Sequence, residues 1–136
     1  YKLAARETFP SWGWWIMNGA TTLYENWKID AARDISLNHI MFGEIGAWFY
    51  KALGGIKPDA SHPGFKKIII QPYFISTLNQ VDVKHESPYG TIVSSWKRVG
   101  KKIMYTVVIT PNSTATLILN NKTQQLEAGM YTFEVK

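Results

Sequence analysis

Eighteen consecutive positions, Pro10-Ser-Trp-Gly-Trp-Trp-Ile-Met-Asn-Gly-Ala-Thr-Thr-Leu-Tyr-Glu-Asn-Trp27, hold four tryptophans, one tyrosine and a single carboxylate, Glu25. An isolated acid among apolar rings is costly to keep ionised unless something is bound to it. Aromatic walls around one carboxylate are also the make-up of a sugar site, because the C–H faces of a pyranose lie flat on indole rings. The plainer alternative is a buried helical hairpin in which Glu25 caps or pairs locally, since perturbed acids mark function only statistically.

Other reactive side chains form no comparable constellation. His39, His62 and His85 are far apart and lack metal-ligand spacing, and there is no cysteine, so neither a metal nor any other cofactor is expected. Glu44 falls on an apolar-period stretch and is expected to pair with a neighbouring helix. Asp30 and Asp34 flank Arg33 in what reads as a solvated polar turn. Asn112-Ser-Thr and Asn121-Lys-Thr fit the glycosylation pattern, which occurs often by chance.

The elements that would hold Glu25 read as helical. Ser11 is placed to cap a segment from Trp12 to Met17, with Asn18-Gly19 as its stop. A second piece starts near Thr21 and runs into Glu25, and Lys28 to Asp34 is polar loop. Ser36 then caps a longer helix whose apolar residues, Leu37, Ile40, Met41, Ile45, Trp48, Phe49 and Ala52, follow a 3.6-residue period up to Gly54-Gly55. Gly43 and Gly46 would let another helix approach closely, which would offset their cost of about 1 kcal/mol each in a helix.

At Lys57-Pro-Asp-Ala-Ser-His-Pro-Gly64 the pattern changes, and a boundary is expected there, giving units 1–56 and 57–136. Beyond it, short runs separated by turn residues predict strands over 67–71, 80–86, 91–98, 102–110, 114–120 and 131–135. Val99-Gly100-Lys101 is a hairpin signal and Glu127-Ala-Gly-Met a turn before the last strand. The expected class is therefore α+β, N-terminal helices followed by an antiparallel β-sandwich.

The 136 residues suffice for one ordinary domain, and 46% apolar against 18% charged residues is globular composition. No window approaches the roughly 18 apolar residues of a membrane span, so no membrane partner is expected. The net charge of +5 lies entirely beyond residue 56: residues 1–56 carry five basic and five acidic side chains. Such an excess suits nucleic acid or an acidic polysaccharide. The lysine pairs Lys66-Lys67 and Lys101-Lys102 fall at turns and strand edges, where they discourage aggregation. The sheet also lacks the aromatic-plus-glycine patterns of nucleic-acid folds, so no nucleic-acid partner is expected. Five of six tryptophans lie at or before position 48, more than two or three short helices can bury. With a start at Tyr1-Lys-Leu-Ala-Ala-Arg-Glu, the chain reads as an internal piece of something larger, and its aromatic helical face is expected to self-associate.

Several motifs occur in a telling order: Pro10-Ser-Trp-Gly, Gly19-Ala-Thr-Thr-Leu-Tyr-Glu25-Asn-Trp27, Ser36-Leu-Asn-His39, Gly43-Glu-Ile-Gly-Ala-Trp-Phe-Tyr50 and Pro63-Gly-Phe-Lys-Lys-Ile-Ile-Ile-Gln-Pro72. Together with Ser87-Pro-Tyr-Gly-Thr-Ile-Val-Ser-Ser-Trp96 and Thr110-Pro-Asn-Ser-Thr-Ala-Thr116, they resemble the C-terminal end of bacterial α-L-rhamnosidases, glycoside hydrolase family 78. The resemblance implies that 1–56 is the end of an (α/α)6 barrel and the rest the terminal β-sandwich domain. It implies inverting release of terminal α-L-rhamnose from glycosides or polysaccharides, with Glu25 as general base. His39 would hydrogen-bond the sugar, and Trp27 and Trp12 would belong to its aromatic wall. Inversion sets the base across from the general acid, typically about 6.5–9.5 Å away, to leave room for water, and a base must be ionised when water attacks.

Two departures shape the expectation. The stretch between Trp27 and Ser36 is shorter than in many family members, where a longer loop crosses the active-site mouth. The family's general acid lies upstream of the matched region, and neither Asp30 nor Asp34 sits in a motif that could replace it, so these 136 residues by themselves are expected to be inactive. The compartment is not written in the residues; periplasmic or secreted, rather than cytoplasmic, is the expectation for the parent enzyme. A reading from another class is a non-catalytic sugar-binding or interaction module with an aromatic-rich helical cap.

Overall fold

The computed structural model describes residues 1–30 and 36–135. Arg33 and Asp34, expected with Asp30 to form a solvated turn, lie outside the described residues. The chain divides into two compact units, Tyr1–Ala47 and Trp48–Lys136.

In the first unit, α1 (Lys2–Ala5) and α2 (Trp12–Met17) are single short helices. As expected, Ser11 caps α2: its Oγ accepts from Trp14 N at 2.9 Å, and its hydroxyl lies within reach of the Arg6 and Thr8 carbonyls. Asn18 closes α2, its N–H bonding back to Trp14 O, and Gly19 follows at φ 81°, a left-handed stop that glycine adopts without strain.

Two helical expectations are corrected. Residues 21–25 are irregular, with bends at Thr22 and Glu25, because the Glu25 N–H is spent on a distant carbonyl rather than on the preceding turn. The helix expected from Ser36 begins only at α3 (Glu44–Trp48) and continues as one π-helical turn, Phe49–Leu53. The side chains of Ser36 and His39 capture the N–H groups of Asn38 and Met41, two residues on, so the backbone donors needed for a helix ladder are diverted. Gly46 has open space where a close neighbour was expected, and at Gly43 the tightest contact is the local Ile40 carbonyl. Gly54 does end the helical run, and Gly55 is obligatory: its φ is +68°, and a Cβ there would lie 2.2 Å from the Gln71 carbonyl carbon.

The second unit is a sandwich of two four-stranded sheets. One orders β1 (Ile56–Pro58), β2 (Lys67–Ile70), β6 (Thr114–Leu119) and β7 (Lys122–Leu126); the other orders β3 (Gln80–Ser87), β4 (Gly90–Val99), β5 (Lys102–Ile109) and β8 (Gly129–Val135). The six expected strands are present to within two residues at each end. The sandwich is not wholly antiparallel, since β2 and β6 pair in parallel, with Ile68 opposite Ala115. Lys67 opens β2, an inner strand, so the edge role expected of that lysine pair does not hold for it. Lys102 is also on an inner strand, β5, and pairs with Glu134 of β8 at 2.8 Å.

The strands β1 and β7 were not legible. β7 is polar over Lys-Thr-Gln-Gln and shows no apolar alternation. Its signal is the turn before it: Asn120 and Asn121, at φ 47° and 60°, make the two-residue left-handed loop that a tight hairpin requires. Asn112 also sits at positive φ in a turn, so both asparagines of the glycosylation patterns have a backbone reason to be there.

Alternation along each strand builds the core. Ile92 and Trp96 of β4, with Ile103, Tyr105, Val107 and Ile109 of β5, face Ile68, Ile70, Ala115, Leu117 and Leu126 of the other sheet. Ser94 brings a hydroxyl into this core and donates to Gly54 O at 2.5 Å, with Tyr105 OH 3.0 Å away. The pair ties the end of the π-helical turn to the sheet.

Candidate functional site

The candidate residues of the first unit are positioned by pairing between two irregular segments, 21–27 and 36–39. Glu25 N–H donates to Ser36 O at 2.9 Å, and His39 N–H donates to Leu23 O at 2.8 Å. Beside them, Thr22 Oγ1, one residue before Leu23, donates to Leu37 O. The register takes one residue more on the 36–39 side than on the 23–25 side, the local pattern of a β-bulge, which re-aims side chains.

Glu25 is half-buried, and its Oε2 accepts from Ser36 N–H at 2.9 Å. The contact is charge-assisted when the acid is ionised, and partial exposure lets water reach the group. His39 is also half-buried, and its Nδ1 accepts from Met41 N–H at 3.0 Å. The pairing thus brings Glu25 and His39 onto one supported piece of backbone.

Trp12 and Trp27 come together in a different arrangement. Their rings meet edge to face at 4.9 Å, and Trp27 lies 4.6 Å from Trp15 and 4.4 Å from Phe42. Trp15 is buried and donates from Nε1 to Trp27 O at 3.0 Å. These rings form the small core of the unit, with Trp12 and Trp27 partly exposed. Trp12 Nε1 is buried with no hydrogen-bond partner among the described residues. A cavity of about 270 Å³ borders this cluster, walled by Trp12, Trp15, Ile16 and the Ala20–Leu23 segment; Glu25 and His39 are not among its walls.

Glu44 makes an interaction of its own and is not a free acid. Among the described residues there is no group of three or more His, Cys, Asp or Glu that could hold a metal ion. No helix among the described residues is long and apolar enough to cross a membrane. The supporting groups were not legible: Ser36 N–H and Met41 N–H are main-chain donors with no residue-type signal, and the Thr22 hydroxyl is spent on a main-chain carbonyl.

Helices followed by a β-sandwich define an α+β class, and both parts of the chain match models of one glycosidase family. The bacterial α-L-rhamnosidase six-hairpin glycosidase domain matches residues 1–53, and the bacterial α-L-rhamnosidase C-terminal domain matches residues 55–134. An α-L-rhamnosidase of Formosa agariphila is 36% identical over 124 residues, covering 86% of this chain and 13% of its own length. One from an Alteromonas species is 36% identical over 125 residues, with 87% and 13% covered. The crystal structure of Streptomyces avermitilis α-L-rhamnosidase complexed with L-rhamnose matches all of this chain and 16% of that one, at TM-score 0.87 and 25% identity. The chain belongs to the bacterial α-L-rhamnosidase family. It spans about 13% of the length of the curated relatives it matches.

Proposed function

We propose that this chain contributes the general base and part of the sugar-binding surface to an inverting glycosidase that releases terminal α-L-rhamnose from glycosides or polysaccharides. Glu25 takes the proton of the attacking water, and His39 hydrogen-bonds the rhamnose. The observation that carries the reading is the pairing of segments 21–27 and 36–39: in a chain of this family, it supports a half-exposed carboxylate and an imidazole on one backbone frame. General acid–base catalysis of this kind contributes about 10²–10⁴-fold.

The base alone does not cleave a glycosidic bond, because the leaving oxygen needs a proton from a second carboxyl on the other face. The 136 residues by themselves are therefore inactive, and a protein of the relatives' full length carrying them is active. An aryl α-L-rhamnoside tests both: the longer protein releases rhamnose, first as the inverted anomer by NMR, and the 136-residue chain releases none. Turnover by the short chain that Glu25→Gln abolishes would sink the two-carboxylate reading. Retention of anomeric configuration would sink the role of Glu25 as a base acting on water.

We propose further that the 136-residue chain self-associates through the apolar side chains of its first unit. Ile16, Met17, Leu37, Ile40 and Met41 are all exposed there, and apolar side chains in water favour association.

A further inference from the structure

Resting on the assignment of Glu25 and His39 above, we propose that the segment from Ser36 to Met41 is a positioning template. It leaves Glu25 with Oε1 as its open acceptor and His39 with Nε2–H as its open donor.

Glu25 is tied to Ser36 twice: backbone N–H to Ser36 O at 2.9 Å, and Oε2 from Ser36 N–H at 2.9 Å. This closed loop of hydrogen bonds links main chain and carboxylate and restricts the side-chain torsions between them. Oε2 is engaged, whereas Oε1 accepts no hydrogen bond from the described residues. One held oxygen and one open oxygen is the arrangement a carboxylate needs to orient a water and take its proton.

The same segment sets the chemistry of His39. A neutral imidazole has one donor and one acceptor nitrogen. Met41 N–H donates to Nδ1 at 3.0 Å, so Nδ1 is the acceptor and the proton of the neutral ring sits on Nε2. His39 then offers a donor to its surroundings, suited to a sugar oxygen. Thr22 Oγ1 on Leu37 O and His39 N–H on Leu23 O pin the template to the irregular segment that carries Glu25. Thr22, Ser36 and Met41 are thus positioning residues, acting through Glu25 and His39.

Long-range proton–nitrogen NMR of the 136-residue chain, at a pH well above the ordinary imidazole pKa of about 6.5, reads the tautomer directly. The Nε2–H form is expected for His39; an Nδ1–H form overturns the template. In a protein of full length, Thr22→Val removes the hydroxyl at nearly constant volume. One hydrogen bond, about 0.5–1.5 kcal/mol, corresponds to a loss of roughly two- to tenfold in kcat. KM and melting temperature stay unchanged, and Thr22→Ser recovers turnover. Equal losses in Thr22→Val and Thr22→Ser, or a loss that tracks melting temperature, make Thr22 structural and overturn the proposal. His39→Gln, whose amide nitrogen can mimic Nε2–H, is expected to bind rhamnoside better than His39→Asn; the reverse order overturns the donor role. Glu25→Gln separates the two levels of failure. If it keeps wild-type turnover, the base assignment itself fails; if it is inactive while Thr22→Val is unchanged, only the template fails.

Discussion

In the sandwich, Ile68, Ile70, Ile92, Trp96, Tyr105 and Leu117 are fully buried, whereas in the first unit Ile16 is 69% exposed and Ile40 86% exposed. Two four-stranded sheets close a core between them, because alternation delivers every second side chain of β4 and β5 to the same interior. Among its described residues the first unit has α1, α2, the start of α3 and turns to work with, and helices of one or two turns are too short to enclose a core. Its rings instead pack into one knot of Trp12, Trp15, Trp27 and Phe42, while Ile16, Leu37 and Ile40 stay exposed. The unit with the closed core is therefore not the unit that carries the candidate chemistry. Glu25 and His39 sit where burial is thin and backbone hydrogen bonds do the positioning.

Removing Trp96 should have the largest effect. Trp96→Ala empties the centre of the sandwich and is expected to cost about 3–5 kcal/mol, read as a fall in the denaturant midpoint with the slope unchanged. A loss below roughly 1 kcal/mol would mean that the sandwich core is not the stabilising centre of the chain. Next comes alkaline pH. Burial pushes the Tyr105 phenol well above its ordinary value, partly offset by the Ser94 hydroxyl beside it. The fold favours the neutral phenol, so this contribution is fully present below about pH 10 and is lost as pH climbs toward the higher folded value. Stability should fall there by up to about 1.4 kcal/mol per pH unit. Tyr105→Phe should remove that share of the slope; an unchanged alkaline slope would assign it to other groups. The smallest effect on stability belongs to the first unit. Ile40→Ser should change the unfolding free energy by no more than about 0.5 kcal/mol while weakening self-association in sedimentation velocity. A monomeric wild-type chain at tens of micromolar, with no hydrophobic-dye binding, would remove the exposed face as a driver of association.

The sandwich was the more legible half. Alternation in 80–86 and 91–98 and the glycine turn at 99–101 mark real strands and a real hairpin. The failures have local causes. A 3.6-residue period from Leu37 to Ala52 suggested one helix, but polar side chains at Ser36 and His39 outcompete the helix ladder for backbone N–H groups. β7 escaped because both its faces are polar, and β1 because it is three residues long and ends at Pro58. At the site, the lone acid and the ordered motifs singled out Glu25 and His39. Their supports were invisible, since Thr22–Leu37 and Glu25–Ser36 are tertiary pairings to main-chain atoms. Trp12 and Trp27 drew notice as a sugar wall, and the structure packs them against each other and against Trp15 and Phe42.

The most direct measurement is rhamnose release from an aryl α-L-rhamnoside by a full-length protein carrying this chain, with wild type set against Glu25→Gln. If Glu25 is the base, turnover falls by at least about a hundredfold while the melting temperature holds. Turnover within a few-fold of wild type makes Glu25 a structural partner of Ser36 and moves the base to another residue.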